Sequence, residues 1–426
     1  MRRLVICAMV LAAAGIGAHA AGKSGTPLTE RLPNGLRLVI ESNDHTATVV
    51  MSALVEVTAL QEPRGRRGIR QLTGMLVARG DGSREMLVEA AIRGDMSVAP
   101  DYVTLVLGAP VESLEECALA MREMLFNPEF SQRALEPTRE ELIRRLVARE
   151  ELPVGLAHRR LFEQIYPGVG SADGGAGDPL ELSRITLDDI RRFHSAHYLP
   201  NATVIGVSGG VDAREARDAL AGAMRGVLPG SSPPAAPEPQ SEDTSTSEVA
   251  IQGQSSVFAT GGKAVALSDR SYPPMAVGMT ILGSGMGSRL YRELRLERSI
   301  AYTILAELTP AVTAPSGFVL VTCNPEHLDE VQSVVEREIE RMMREPVEAD
   351  ELRRAKRYLI GRHAMRRQRN QEVAHYLGVY ELLGGVAGYR RGERLRGEIA
   401  AVDGIDVADA MRRLFSPSWS LRVDAQ

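Results

Sequence analysis

The sequence has 426 residues, 44% of them hydrophobic and 25% charged, with a formal net charge of −5 at pH 7. That length exceeds one ordinary domain and suits two or three. The balance of residues excludes disorder over most of the chain, and interspersed charges of net negative sign give no sequence-wide attraction for nucleic acid.

In chain order, residues 1–20 read as a signal segment. Arg2 and Arg3 precede an apolar run from Leu4 to about Ala18, and Ala18-His19-Ala20 offers small residues where a signal peptidase reads. The run is short and rich in Ala and Gly, which suits removal better than a retained anchor. Its loss would leave 48 basic against 55 acidic residues, a charge of −7. The mature protein is therefore expected to be exported, in the periplasm or otherwise outside the cytoplasm, with no membrane span. It keeps only Cys117 and Cys323, which lie in different halves and read as two buried thiols rather than a disulfide.

A break in composition lies at 229–248, rich in Pro, Ser and acids with nothing apolar larger than Ala. Such a stretch cannot bury enough surface to offset its ordering entropy and reads as a linker. The domains expected are 21–228 and 249–426. In the first, strand-like runs at 36–42 and 47–58 precede a helical stretch at 67–79. Strands at 94–99 and 102–109 follow, then helices at Val111–Phe126, Ser131–Glu150 and Gly155–Tyr166. Thr186 suits the cap of a helix from about 187 to 197, and residues 202–208 return to strand. In the second, strands are expected at 263–268 and 275–282, a helix at 287–298, strands at 302–309 and 317–323, and helices at 327–344, 348–369 and 371–383. Two shorter helices and a strand at 419–423 close the chain. Strands bunched together and followed by bunched helices give an α+β class with antiparallel sheets, and the repeated order suggests two homologous domains.

Four separate stretches carry a family resemblance. Gly287-Ser288-Arg289-Leu290-Tyr291-Arg292-Glu293-Leu294-Arg295, running on to Arg298-Ser299-Ile300-Ala301-Tyr302, resembles the C-terminal signature of the insulinase-like (pitrilysin, processing-peptidase) metallopeptidases. Leu32–Leu38 resembles that family's opening strand. Arg184–Asn201 resembles the close of its first domain, and Asp350–Gly361 its late helix. The resemblance implies two α+β domains facing each other as a clamshell around a peptide chamber. In catalytic members it also implies zinc on a His-x-x-Glu-His helix, with a further Glu on a later helix. Two His at i and i+4 share one helical face and can bind one ion, and the Glu between them serves as general base.

The chain departs from that pattern at each position. Aligned without gaps from Gly68 to Gly80, Gln71 replaces the first His, Gly74 the base and Met75 the second His. An amide is a weak zinc ligand, glycine offers nothing, and a thioether is too soft to be preferred. Arg144 and Arg145 stand about where the third ligand belongs, and a guanidinium repels a cation. No metal, no cofactor and no catalytic residue are therefore expected. His194 and His197 form the only close histidine pair and are expected to be a surface or partly packed pair rather than a metal site. No P-loop is present, and no Gly-x-Ser-x-Gly elbow with a partner His is evident.

Arg295 and Tyr302 match the Arg–Tyr pair with which, by the resemblance, catalytic members hold the bound peptide from the second domain. Retention of that half of a split site implies a zinc-free, substrate-binding subunit. Its partners would be a zinc-bearing insulinase-like subunit, in a heterodimer, and unfolded peptide. The alternative is a non-enzymatic peptide-binding or scaffold protein with the same fold.

Overall fold

The computed structural model describes residues 26–79, 87–167, 169, 177–231, 246–385 and 388–426. The expected signal segment and residues 232–245 of the expected linker lie outside the described residues.

The first sheet comprises β1 (Leu28–Arg31), β2 (Arg37–Ser42), β3 (Thr48–Glu56), β4 (Arg93–Val98), β5 (Tyr102–Pro110) and β6 (Thr203–Gly209), in the order β1-β2-β6-β3-β5-β4. The second comprises β7 (Thr246–Ile251), β8 (Ser256–Lys263), β9 (Ala301–Thr309), β10 (Ser316–Cys323) and β11 (Trp419–Ala425), in the order β7-β11-β8-β10-β9. Without β1, the two orders are the same arrangement used twice. The expectation of antiparallel sheets needs one correction, made identically in both: β2 pairs parallel with β6, and β7 parallel with β11. In each sheet the chain's late strand inserts beside an early one after a helical excursion, which is how parallel neighbours arise.

The helices repeat as well. In the first half they are α1 (Ile69–Arg79), α2 (Leu114–Phe126), α3 (Gln132–Glu150), α4 (Pro153–Ile165), α5 (Pro179–Ser183) and α6 (Leu187–His197), with α7 (Ala213–Ala223) after β6. In the second they are α8 (Tyr272–Gly283), α9 (Leu328–Arg344), α10 (Ala349–Arg366), α11 (Asn370–Leu383), α12 (Arg391–Ala401) and α13 (Gly404–Phe415). The expected cap at Thr186 is present: its hydroxyl accepts from the Asp189 amide at 3.2 Å and the Asp189 carboxylate returns to the Thr186 amide.

The second half begins differently from the expectation. Residues 275–282 belong to helix α8, not to a strand, and of the strand expected at 263–268 only Lys263 is in one, as the last residue of β8. Met275, Val277, Met279, Ile281 and Leu282 are all buried, so the helix has no polar face and its sequence no period to read. Pro273 and Pro274 at its first positions were the available start signal. With α8 restored, α8 is the counterpart of α1. The stretch expected as its counterpart, 287–298, contains instead a wide, π-helical turn at Tyr291–Glu297.

The halves are joined by exchange. Helix α4 of the first half lies on the second sheet, where Leu161, Phe162 and Ile165 share a core with Val257, Trp419 and Leu421. Helix α11 of the second half lies on the first sheet, where Val373 and Leu377 meet Val39 and Val204. Polar ties flank both. Buried Asp101 accepts from the Val312 and Thr313 amides at 2.5 and 3.1 Å. Tyr166 donates to the Pro315 carbonyl at 2.7 Å, and Arg367 pairs with Glu41 at 2.5 Å. Cys117 and Cys323 are buried free thiols, one in each half, and burial pushes them up to about 12 and about 11.

The exchanged helix α11 approaches β6 so closely that a Cβ on Gly206 would stand 2.0 Å from the Ala374 carbonyl oxygen. Backbone cannot yield as a side chain does. Gly206→Ala is therefore expected to cost about 2 kcal/mol. Gly378→Ala meets only the movable Leu54 side-chain tip at 2.5 Å and gains helix propensity, so it should be near neutral. Thermal unfolding of the two variants checks that order.

Candidate functional site

Helix α1 is fixed by charge and backbone rather than by metal. Glu62 accepts from the amides of Gly68 and Arg70 at 2.8 and 3.2 Å, satisfying free donors at the helix start. Arg70 is fully buried and donates to the carbonyls of Val57, Ala99 and Pro100 at 2.8, 2.7 and 2.9 Å. One guanidinium thus ties α1 to the end of β3 and to the β4–β5 turn. Burial raises the Glu62 carboxyl against the opposing pull of Arg70. Sequence reasoning missed both residues, because their roles rest on contacts with segments distant in sequence.

Gln71 and Met75 face a cavity of 450 Å³ between α1, β4 and α3. The Gln71 carbonyl oxygen is buried there without a hydrogen-bond partner. Gly74 is packed against β4: a Cβ at that position would lie 2.4 Å from the Met96 Cε, so the Met96 side chain fills the space a residue-74 side chain would take. The two arginines of α3 separate. Arg144 is exposed and pairs with Glu140 at 3.6 Å, while Arg145 lines the cavity and pairs with Glu141, which also binds Arg79 at 2.6 Å. The residues present do not fit zinc, because no anionic or imidazole donor stands at Gln71, Gly74 or Met75 and the third position carries positive charge. Among the described residues, no group of three His, Cys, Asp or Glu side chains is placed to hold a metal ion.

Of the two places expected for the histidine pair, surface or packed, the structure gives the packed one, and more completely than expected: both rings are buried. His194 is buried, stacks on Tyr198 with ring centroids 4.6 Å apart, and donates from Nε2 to the Leu125 carbonyl at 2.9 Å. His197 packs on Phe193.

Arg295 stands on the wide turn and Tyr302 at the start of β9, which that turn leads into. Arg295 Nη1 donates to the Ala301 carbonyl at 2.6 Å, linking the wide turn to the start of β9. Ser299, between them, holds a left-handed φ of 58°, a conformation that a non-glycine residue keeps only when its surroundings impose it. Tyr302 is 57% exposed and donates to the Asn324 side-chain oxygen at 2.7 Å. Glu293 is taken up by Arg298 and Arg337, which leaves the Arg295 guanidinium directed at backbone.

Two mixed α+β lobes with one topology, a zinc-type helix without ligands and an exposed Arg–Tyr pair define the class: a two-domain metallopeptidase-like clamshell that lacks its metal site. Residues 184–359 match the family described as Peptidase M16 inactive domain. The chain is 22% identical over 293 residues, 67% of each chain, to the non-peptidase homolog YmxG of Helicobacter pylori. It is 23% identical, over 85% of this chain and 82% of the other, to an uncharacterized zinc protease of Streptomyces coelicolor. Its fold matches the crystal structure of a peptidase M16 inactive domain from Pseudomonas fluorescens with a TM-score of 0.85 at 18% identity, over 94% and 98% of the two chains. A Helicobacter pylori protease matches with a TM-score of 0.85 at 16% identity, over 94% of this chain and 100% of the other. Over residues 184–359 the chain is thus similar to the M16, insulinase-like peptidase family, and its helix α1 carries none of the side chains with which that family's catalytic helix binds zinc.

Two predictions follow from this geometry. The variant Gln71→His/Gly74→Glu/Met75→His is expected to retain no stoichiometric zinc after dialysis, by elemental analysis, because Met96 and Arg145 still oppose it. Adding Met96→Ala and Arg145→Glu should raise the zinc content. Burial holds the His194 ring down to about 4, against an ordinary value near 6.5. Between those values the unfolded ring takes a proton that the buried ring refuses, so stability falls as pH drops from about 6.5 towards 4, by up to ~3 kcal/mol. Melting curves from pH 7 to 4.5 should show the loss, and His194→Gln should flatten it.

Proposed function

We propose that this protein is the zinc-free, peptide-binding subunit of an exported heterodimeric M16 peptidase. In this reading a zinc-bearing partner activates the water, and Arg295 and Tyr302 engage the unfolded peptide. The observation that carries the reading is the asymmetry of the two halves. The metal helix has lost every ligand, and Met96 and Arg145 occupy the vacated surroundings. Arg295 and Tyr302 meanwhile stay exposed, Arg295 on the wide turn and bonded to the Ala301 carbonyl, Tyr302 at the start of β9, with the left-handed Ser299 between them. A phenol at such a position can donate to a carbonyl as charge develops on it, and a guanidinium can hold backbone carbonyls. Export rests on the first twenty residues of the sequence.

The test is a peptidase assay of the protein alone, of a zinc-bearing M16 subunit encoded beside it, and of the mixture. Neither chain alone is expected to match the mixture. Arg295→Ala should lower the activity of the mixture about 100-fold and Tyr302→Phe about tenfold. A mixture no more active than its zinc-bearing member, with peptide still bound by this chain, would instead favour the non-enzymatic peptide-binding reading.

A further inference from the structure

The duplicated fold places a second cavity where the first half has its vestigial metal site. The first lies between α1, β4 and α3; the second lies between α8, β9 and α10, their counterparts, with α11 and α12 closing it. The two correspond residue by residue along α3 and α10. The pattern Leu-Ile-x-Arg-x-x-x-Arg of Leu142–Arg149 recurs as Leu359–Arg366, and in both copies the Leu and both Arg line the cavity. On the opposing helix, Gln71 and Met75 line the first cavity and Tyr272 and Ala276 the second, each pair four residues apart.

The second cavity has its own chemistry. It measures 180 Å³, about the room that one aromatic ring needs. Its walls carry Arg362, Arg366 and Arg396, and no carboxylate lines it. None of these arginines forms an ion pair among the described residues, although most arginines of the chain do. Arg366 lies over the Tyr376 ring at 4.7 Å from the centroid, which fixes its fork. The floor is apolar, with Leu267, Leu308, Val379 and Ile399. Burial, aided by Arg367, Arg366 and Arg396, pushes His363 down, so its ring is neutral near pH 7 and faces the Tyr380 hydroxyl at 3.5 Å. The cavity therefore presents guanidinium and phenol donors around an apolar floor, with no internal anion to answer them.

We propose that this second cavity binds a carboxylate attached to an apolar or aromatic group, with Arg362 and Arg366 holding the carboxylate and the floor taking the side group. A planar guanidinium is the side chain suited to bidentate carboxylate recognition. The volume limits the apolar part to one large side chain. Both a free hydrophobic acid and the C-terminal residue of a peptide offer this chemistry. The site is separate from Arg295 and Tyr302, so it does not depend on the split-peptidase reading.

Calorimetric titration of the full chain tests it, with 3-phenylpropionate standing for a free acid and N-acetylphenylalanine for a peptide C-terminus. At least one acid is expected to bind, while the amides of both and sulfate should bind at least tenfold more weakly. Arg362→Gln and Arg366→Gln should each weaken the acid about tenfold or more, and Arg344→Gln, on the surface of α9, should leave it unchanged. Arg362 is exposed, so its variant keeps the test valid if Arg366→Gln fails to fold. Binding by N-acetylphenylalanine alone assigns the site to peptide ends, and by 3-phenylpropionate alone to free acids. No acid binding, equal binding of amides or sulfate, or indifference to both substitutions would overturn the proposal.

Discussion

The exchange of helices α4 and α11 between the two sheets is the constraint on which the rest of the structure depends. Each sheet has one apolar face that its own half does not cover, and the other half supplies the cover. Leu161, Phe162 and Ile165 close the second sheet, and Val373 and Leu377 close the first. Each half has a core of its own, but because one face of each sheet is covered only by the other half's helix, the two sheets are held together and whatever lies between them is positioned by both. The close approach at Gly206, where no side chain can stand, is the local consequence.

Within that frame, the loss of the metal site is a repacked arrangement rather than a simple deletion. In a zinc helix the ion helps to fix the helix against its neighbours; here Arg70 does so through three backbone carbonyls, with Glu62 at the helix start. Met96 fills the space beside Gly74, and Arg145 and Arg79 share Glu141 at the mouth of the cavity. Each replacement is consistent with the others. Without a cation there is no electrostatic reason to exclude arginine from α3, and without a general base there is no cost in letting a methionine occupy its place. The duplicated half shows the same architecture with an aromatic and arginine lining, so one fold has been furnished with two different cavities at equivalent positions.

The sequence was legible where a local rule acts alone. The cap at Thr186, the α3 and α10 helices and the strands β2 to β6 could be read, though not β1, because side-chain period, capping hydroxyls and turn residues operate within a few positions. It was not legible at α8, where burial on every side removes the polar face that would reveal a helical period. Nor was the packing of His194 and His197 legible, because whether an imidazole is wet or stacked on Tyr198 is decided by what arrives from elsewhere in the chain. For the candidate site, the absence of zinc ligands at Gln71, Gly74 and Met75 could be read directly, since ligand chemistry belongs to residue type.

By itself, then, the sequence determined the class of fold, the family signature and the chemical incapacity of the metal helix, all of which are properties of residue identity and spacing. Only the tertiary structure decided that the two halves exchange helices, that Arg70 anchors α1, that Arg145 and not Arg144 faces the cavity, and that Arg362 and Arg366 meet an apolar pocket without carboxylates. The physical reason is that these depend on which surfaces bury one another across long separations, and long-range burial is settled by the summed packing of both sheets rather than by any single stretch of chain.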